Sequence, residues 1–207
     1  MVLDCAIATG VFDGIAFIDD GLTRENVCGY PVLGCGSSVP DAVAAGFSKV
    51  IVAIGDNSQR ARCFATAVRC GLEPVVVVHP TAVVSPFAFV GGGTVVMPQA
   101  VINSGAVIGR NCIINTACVV EHDCFISDHA HISPGAVLGG GVQVGEGAHV
   151  GLGASILPGA VIGAESVVGA GSVVLRAVDQ GAVVAGVPAR ALASARHNRP
   201  MRSADLR

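Results

Sequence analysis

Histidines and carboxylates gather in one stretch of a chain that is otherwise poor in charge. Glu121-His122-Asp123 is followed by Asp128-His129-Ala130-His131, and His149 lies eighteen residues beyond His131. An imidazole beside a carboxylate can accept a proton near neutral pH, with the carboxylate fixing its tautomer and supporting its basicity. His122 with Asp123 is therefore the candidate general base. The competing chemistry is zinc, which needs three or four convergent ligands. His129, His131 and His149 could supply three, but their positions around and along the chain do not favour convergence. The bland alternative is a surface histidine that decorates a turn.

The elements that hold these residues are set by one repeat. A large aliphatic residue occupies every sixth position from Val84 through Ile102, Ile114, Ile126, Leu138, Val150 and Ile162 to Val174, without an insertion. Two places before most of these sits a small residue, as at Ala88, Thr94, Ala100, Ala106, Cys112, Cys118, Cys124 and Ala130. Glycine often follows the aliphatic, as at Gly91, Gly109, Gly139, Gly145, Gly151, Gly163 and Gly169. A period of six fits neither a helix nor a simple alternating strand. It fits a short strand and a corner, with three sides closing a coil of 18 residues and successive coils pairing in parallel about 4.8 Å apart. Each inward aliphatic contributes roughly 1.5–3 kcal/mol on burial. The glycines are expected to relieve the corners through positive φ. In such a coil His122 lies between Ser104 and Gly140, both small, and His131 stacks beneath His149.

The first 79 residues have another pattern. Met1–Thr9 reads as a helix ending at Gly10, and Gly14–Ile18, Lys49–Ile54 and Glu73–His79 read as strands. A helix capped by Asn57 runs to about Cys70. Strands alternating with helices suggest a small parallel α/β unit. The expected division is 1–79 α/β, 80–193 prism and 194–207 a frayed basic tail with Arg196, Arg199, Arg202 and Arg207.

Composition excludes several classes. The chain has 207 residues, 12 Lys+Arg against 15 Asp+Glu, and a net charge of -3, which is no footing for a general nucleic-acid binder. Mean hydropathy is +0.67 and only 13% of residues are charged, values that resemble a membrane protein. The uncharged stretch Pro80–Gly109 is nonetheless broken by Pro86, Gly91, Gly92, Gly93, Pro98 and Asn103, so no membrane span is expected. No secretory leader opens the chain, and a cytoplasmic location is expected. The eight cysteines form no CxxC pair, and Cys112, Cys118 and Cys124 share the small-residue slot of the repeat, so packing is their expected role.

These motifs together carry a resemblance. Phe17-Ile18-Asp19-Asp20, Ala53-Ile54-Gly55-Asp56-Asn57, His79-Pro80, Asn115-Thr116, Val120-Glu121-His122-Asp123-Cys124, His131-Ile132-Ser133 and Gly186-Val187-Pro188-Ala189 span nearly the whole sequence. With the hexads, they resemble the bacterial hexapeptide-repeat acetyltransferases of the sialic-acid O-acetyltransferase type. Within these, the nearest are the N-acetyltransferases of nucleotide-linked 4-amino-sugars. The resemblance implies a left-handed parallel β-helix behind a Rossmann-like α/β domain, a homotrimer, and acetyl-CoA lying between neighbouring prisms. It implies that His122 is the base and that Asp123 stands where these enzymes usually have Glu. It further implies that His131, Gly140, Leu152, Pro158 and Ala170 meet the cofactor, and that Asp19, Asp20, Gly55 and Asn115 meet the sugar nucleotide. The CoA phosphates need cations, for which Arg110, Arg176, Arg190 and the tail arginines are candidates. Relatives place an apolar strand and a Gly-rich turn before the first helix, whereas this chain opens inside that helix at Val2-Leu3-Asp4-Cys5. The first strand is accordingly expected to be absent and the nucleotide-sugar half to be impaired. The same base would serve sugar O-acetylation. A zinc lyase of the same fold and a non-catalytic scaffold are the remaining alternatives.

Overall fold

The structure is a computed structural model that describes residues 1–21 and 25–192. The tail expected at 194–207 lies outside the described residues.

From Val77 onward the chain winds as a parallel β-solenoid with three flat faces. The first face stacks Val77–Val78, Val95–Val96, Ile113–Ile114, His131–Ile132, His149–Val150 and Val167–Val168, then Val183–Gly186 and the antiparallel Ala189–Ala191. The second runs from Val83–Val84 to Val173–Val174, and the third from Phe89–Val90 to Val161–Ile162. Up to Val174 each strand residue pairs with the one 18 positions on, as in Val107 with Phe125 and His131 with His149, whereas the last coil is two residues shorter and pairs Val167 with Val183. The second residue of each strand points inward, and Ile102, Ile108, Ile114, Ile126, Ile132 and Leu138 are fully buried together with Ala100, Ala106, Cys118 and Ala130. The hexad aliphatics and small residues thus occupy the interior expected of them. All eight cysteines are free, and burial pushes the Cys112 and Cys118 thiols up to about 12.

The corner glycines act differently from expectation. Positive φ falls three places after the aliphatic rather than one, at Gly105, Gly141, Gly147 and Gly153 but also at Asn111 (55°), Ala117 (54°), Asp123 (59°) and His129 (62°). The glycines directly after the aliphatic are there for space. A Cβ on Gly91 would lie 2.7 Å from the Gly109 carbonyl carbon, and one on Gly139 would lie 2.7 Å from the Pro158 nitrogen. At these two glycines the adjacent coil approaches too closely for a side chain.

The N-terminal segment contains α1 (Val2–Thr9), α2 (Val39–Ala44) and α3 (Asn57–Arg69). It also has an antiparallel hairpin, β1 (Asn26–Val27) with β2 (Tyr30–Pro31), and a parallel pair, β3 (Lys49–Val50) with β4 (Glu73–Pro74). Helices α1 and α3 fall close to where the sequence puts them, α2 was not expected, and Gly10 closes α1 with φ 67°. The strands are shorter than expected. Gly14–Ile18 yields only a bridge from Phe17 to Val32, Lys49–Ile54 pairs at two residues, and Glu73–His79 splits in two, its second part joining the solenoid as β5 (Val77–Val78). The segment has a small core of its own, Val39, Ala67 and Leu72 with Ile18, Val43 and Val50 against them, and it docks on the solenoid. Cys5 and Ala6 of α1 pack on Val77, Val95, Met97 and Ile113 of the first face, with the Cys5 thiol 3.4 Å from the Met97 sulfur. Asp56, not Asn57, caps α3, its carboxylate accepting from the Gln59 N–H at 2.7 Å. Among the described residues no helix is long and apolar enough to cross a membrane.

Candidate functional site

The 18-residue register turns sequence spacing into columns. The corner between the second and third faces carries Ser104, His122, Gly140 and Pro158 in one column, because Val101 pairs with Val119, Val119 with Val137 and Val137 with Ser155. The last coil is two residues shorter at this corner, with Ile162 bridging Val178, so Arg176 falls outside the register. The corner between the first and second faces carries Asn115, Ser133 and Gly151 in one column, with Thr116, Pro134, Leu152 and Ala170 beside it. The residues implied as site members therefore separate. His122, Asp123, Gly140 and Pro158 share one corner, while Asn115, Leu152 and Ala170 share another, next to His131.

At the first of these corners the His122 Nδ1 and the Asp123 Oδ2 are 2.9 Å apart and both side chains are largely exposed. The hydrogen bond to Asp123 raises the imidazole above its ordinary value, with smaller help from the charges of Asp123 and Glu121. The aspartate reaches the ring despite its short side chain because it is the next residue and sits in the left-handed region. The other ring edge lies over Gly140, where a Cβ would come within 2.6 Å of His122 Cε1. With Asp123 accepting the proton on Nδ1, Nε2 is a bare acceptor, the form a general base needs. Glu121, which sequence reasoning assigned no role, accepts from the Asn103 amide at 3.0 Å and adds negative charge beside the ring. Its place one residue before the base was the only signal for it.

At the other corner, the His131 and His149 rings stack with centroids 4.7 Å apart and planes 7° apart. His131 Nε2 is 3.0 Å from the Asn115 amide nitrogen, and His149 Nε2 is 2.8 Å from the Ser133 hydroxyl. Burial pushes His131 down to about 3, aided by the neighbouring His149 and Arg60, and burial likewise lowers His149. Both imidazoles are neutral at pH 7. His129 points elsewhere. Its Nδ1 lies 2.8 Å from the Asn111 amide and its ring meets the Phe64 edge, while Arg110 covers the Phe64 face at 5.1 Å. The three imidazoles proposed for zinc are thus committed to separate partners.

The N-terminal candidates are placed as follows. Gly55 lies on the turn before α3, where its carbonyl accepts from Arg60 Nη1 at 3.3 Å. The Asp19 carboxylate accepts from the Gly21 N–H at 2.8 Å and Asp20 from the Gly36 N–H at 2.7 Å, both exposed. Arg60 was missed altogether. It is fully buried and binds α3, the turn at 54–57 and the solenoid at once.

A triangular solenoid with a carboxylate-assisted imidazole on an open, glycine-lined corner defines a hexapeptide-repeat acyltransferase. The comparisons agree. The sequence profile of the PglD N-terminal domain matches residues 1–67. The perosamine N-acetyltransferase of Caulobacter crescentus, solved as a histidine-to-asparagine variant in complex with CoA and GDP-perosamine, is 40% identical over 93% of this chain and 91% of its own, with a TM-score of 0.90. The acetyltransferase domain of PglB from Neisseria gonorrhoeae is 37% identical over 92% and 93%, with a TM-score of 0.89. WeeI from Acinetobacter baumannii is 30% identical over 86% and 85%, with a TM-score of 0.75. No curated protein sequence matches the chain. The chain belongs to the family of left-handed β-helix acetyltransferases that act on nucleotide-linked amino sugars. It is an enzyme, with acetyl-CoA as its co-substrate.

Proposed function

We propose that the chain transfers the acetyl group of acetyl-CoA to the amine of a nucleotide-linked amino sugar, and that it does so at a seam between two protomers of a homotrimer. The observation that carries this reading is the His122–Asp123 pair, held with Nε2 bare above the open corner at Gly140. The Caulobacter relative binds CoA and GDP-perosamine together, which supports a sugar nucleotide as acceptor.

The chemistry follows from the groups present. The sugar amine attacks the thioester carbonyl carbon and forms a C–N bond. His122 Nε2 takes the proton that the nitrogen sheds. The tetrahedral oxyanion collapses with loss of the C–S bond, and the thiolate leaves as CoA, taking the proton back from His122. Asp123 holds the imidazole in the accepting tautomer and stabilises the imidazolium.

The two-corner division favours a composite site. One protomer offers His122, Asp123, Gly140 and Pro158, and its neighbour offers Asn115, His131, Leu152 and Ala170. The outward side chains of the second and third faces suit such a trimer. Val83, Phe89, Val107, Phe125 and Val137 are exposed, whereas Val77, Val95 and Ile113 of the first face are buried beneath α1. An apolar groove on the third face, lined by Phe125, Gln143, Val144, Val161 and Ile162, continues this uncovered surface. Arg176, just beyond the last strand of the second face, is the candidate cation for the CoA phosphates. Asp19, Asp20, Gly55 and Asn115 serve the sugar nucleotide, with residues 1–79 as its binding unit and 80–193 as the transfer unit. A cytoplasmic location completes this reading.

The test is thiol release from acetyl-CoA against a panel of nucleotide-linked amino sugars. His122→Ala is expected to lower kcat by about 10²–10⁴. A loss of less than about tenfold would remove His122 from its role.

A further inference from the structure

The slot two places after each inward aliphatic accepts almost any residue. Between Pro86 and Ala170 it holds proline, serine, arginine, threonine, histidine, aspartate, glutamate, leucine and alanine, with glycine only at Gly92 and Gly140. Gly92 has a backbone reason, since a Cβ there would lie 2.7 Å from the Pro74 carbonyl oxygen. Gly140 has a different one. Its φ lies outside the left-handed region, and the three atoms nearest to a Cβ there all belong to one ring: His122 Nε2 at 2.5 Å, Cε1 at 2.6 Å and Cδ2 at 3.1 Å. The coil above the base is bare where the imidazole leans against it, and the missing Cβ would fill the space at Nε2.

The partner carboxylate has the same relation to the coil below. Gly105 lies one coil beneath Asp123, and a Cβ on it would clash with Asp123 Oδ1. Left-handed backbone does not by itself demand glycine in this slot, for Ala117, Asn111 and Gln99 occupy it at φ 54°, 55° and 60°. At Gly135, Gly141 and Gly153, also in this slot, a Cβ would meet nothing within 4 Å. The His122–Asp123 pair, 2.9 Å apart, is thus held between two glycines, one on each neighbouring coil.

We propose that Gly140 and Gly105 are positioning residues that act by having no side chain: Gly140 seats the imidazole and keeps Nε2 clear, Gly105 seats the carboxylate, and together they hold His122 Nδ1 on Asp123. The consequence for turnover rests on the acetyltransferase reading above. The charged groups facing the ring are Asp123 and Glu121 of its own coil. The coil below presents Asn103, Ser104 and Gly105 and the coil above Gly139, Gly140 and Gly141, none of them charged. An imidazole pushed off its seat therefore loses the hydrogen bond that does most to raise its proton affinity, and neither coil offers a replacement.

Gly140→Ala in the full chain tests the seat. The obstacle is the exposed end of a side chain, so the ring moves and the fold stands, and the urea midpoint is expected to stay close to that of the wild type. Titration of the ¹⁵N-histidine-labelled protein is expected to show His122 moving down toward about 6.5, while His131 and His149, on another corner, keep their behaviour. With turnover, kcat is expected to fall by about tenfold or more, and the acidic limb of kcat/KM to move to lower pH in step with the titration. A His122 titration unchanged in the variant overturns the proposal even if kcat falls, because the loss then belongs to acetyl-CoA contact. Adding Gly140→Ala to His122→Ala is expected to leave the urea midpoint unchanged or raised, since the clashing ring is gone; a drop means that Gly140 serves the backbone and overturns the proposal. Gly105→Ala reaches the pair from the other coil, with the same downward movement of His122 expected, and stands in if Gly140→Ala does not fold. Failure of both variants to fold overturns the proposal as well. The titration needs no turnover, so the expected movement in a chain inactive on every sugar nucleotide counts against the function and not against the seat.

Discussion

The carboxylate of Asp123 stands 2.9 Å from Nδ1 of His122 on an exposed corner, and it accounts for most of the rise in that imidazole's proton affinity. A raised value means that the neutral, accepting form of His122 builds up only above the usual imidazole range. The acidic limb of the kcat/KM profile is therefore expected at a higher pH than a free histidine would give. Asp123→Asn removes the largest cause of the rise, so the limb should move to lower pH as the rate itself falls. A pH–rate profile of both proteins checks this, and an unmoved limb would dissociate Asp123 from the base.

His122 and Asn115 occupy different corners of one prism, so in the proposed trimer each seam would take one from each protomer. Chains carrying His122→Ala and chains carrying Asn115→Ala should each be nearly inactive alone. Mixed by co-expression in equal amounts, they should regain activity, because about a quarter of the seams then carry both intact halves. Mixtures that stay as inactive as their components would mean that each chain holds a complete site by itself.

The two kinds of special corner residue predict opposite outcomes for the same pair of amino acids. Ala117 sits at φ 54° and is exposed, so Ala117→Gly relieves left-handed strain of about 1 kcal/mol or more and offsets it with somewhat greater unfolded-state entropy. A small gain in stability, or none, is expected. Gly145 is extended, but a Cβ there would meet the Ala164 Cα at 2.7 Å and the Gly163 carbonyl carbon at 2.9 Å. Gly145→Ala should therefore cost about 2 kcal/mol or more by overpacking backbone against backbone. Urea midpoints of the two variants would decide the matter.

The stacked pair His131–His149 should make the fold sensitive to acid. Both imidazoles are held below their ordinary value by burial. The unfolded chain then binds more protons than the folded one, and the stability from keeping the pair neutral is complete above about pH 6.5. It is lost as pH falls from there toward about 3, the value for His131. The loss is on the order of a few kcal/mol. Comparing denaturation midpoints at pH 7 and pH 4.5 for wild type and for His131→Leu/His149→Leu isolates this share. Equal pH dependence in the two proteins would contradict it.

The solenoid was legible because its rule is local and repetitive. Hexad aliphatics mark the interior one by one, and adding 18 to a residue number finds its neighbour, which is how the His131–His149 stack and the place of Gly140 above His122 could be read before any coordinates. What stayed hidden depends on contacts that no period encodes. The glycines after Val90 and Leu138 look like turn residues in sequence, and only the closeness of the next coil shows that they are spacers. The short strands near Phe17 and Lys49 pack Ile18 and Val50 into a small cluster with Val39, Ala67 and Leu72. Arg60 gave no signal, since an arginine in a polar helix ordinarily faces water and its partners lie on segments 51 and 69 residues away.

The column from His122 through Gly140 to Pro158 fixes the spacing along this corner as a whole number of coils, about 10 Å in two steps. Length along this molecule is quantised. Excising or duplicating one 18-residue turn would leave the packing rule intact and reset the gauge by one rung, so an enzyme of this build can be refitted to a longer or shorter acyl carrier without redesigning a single corner.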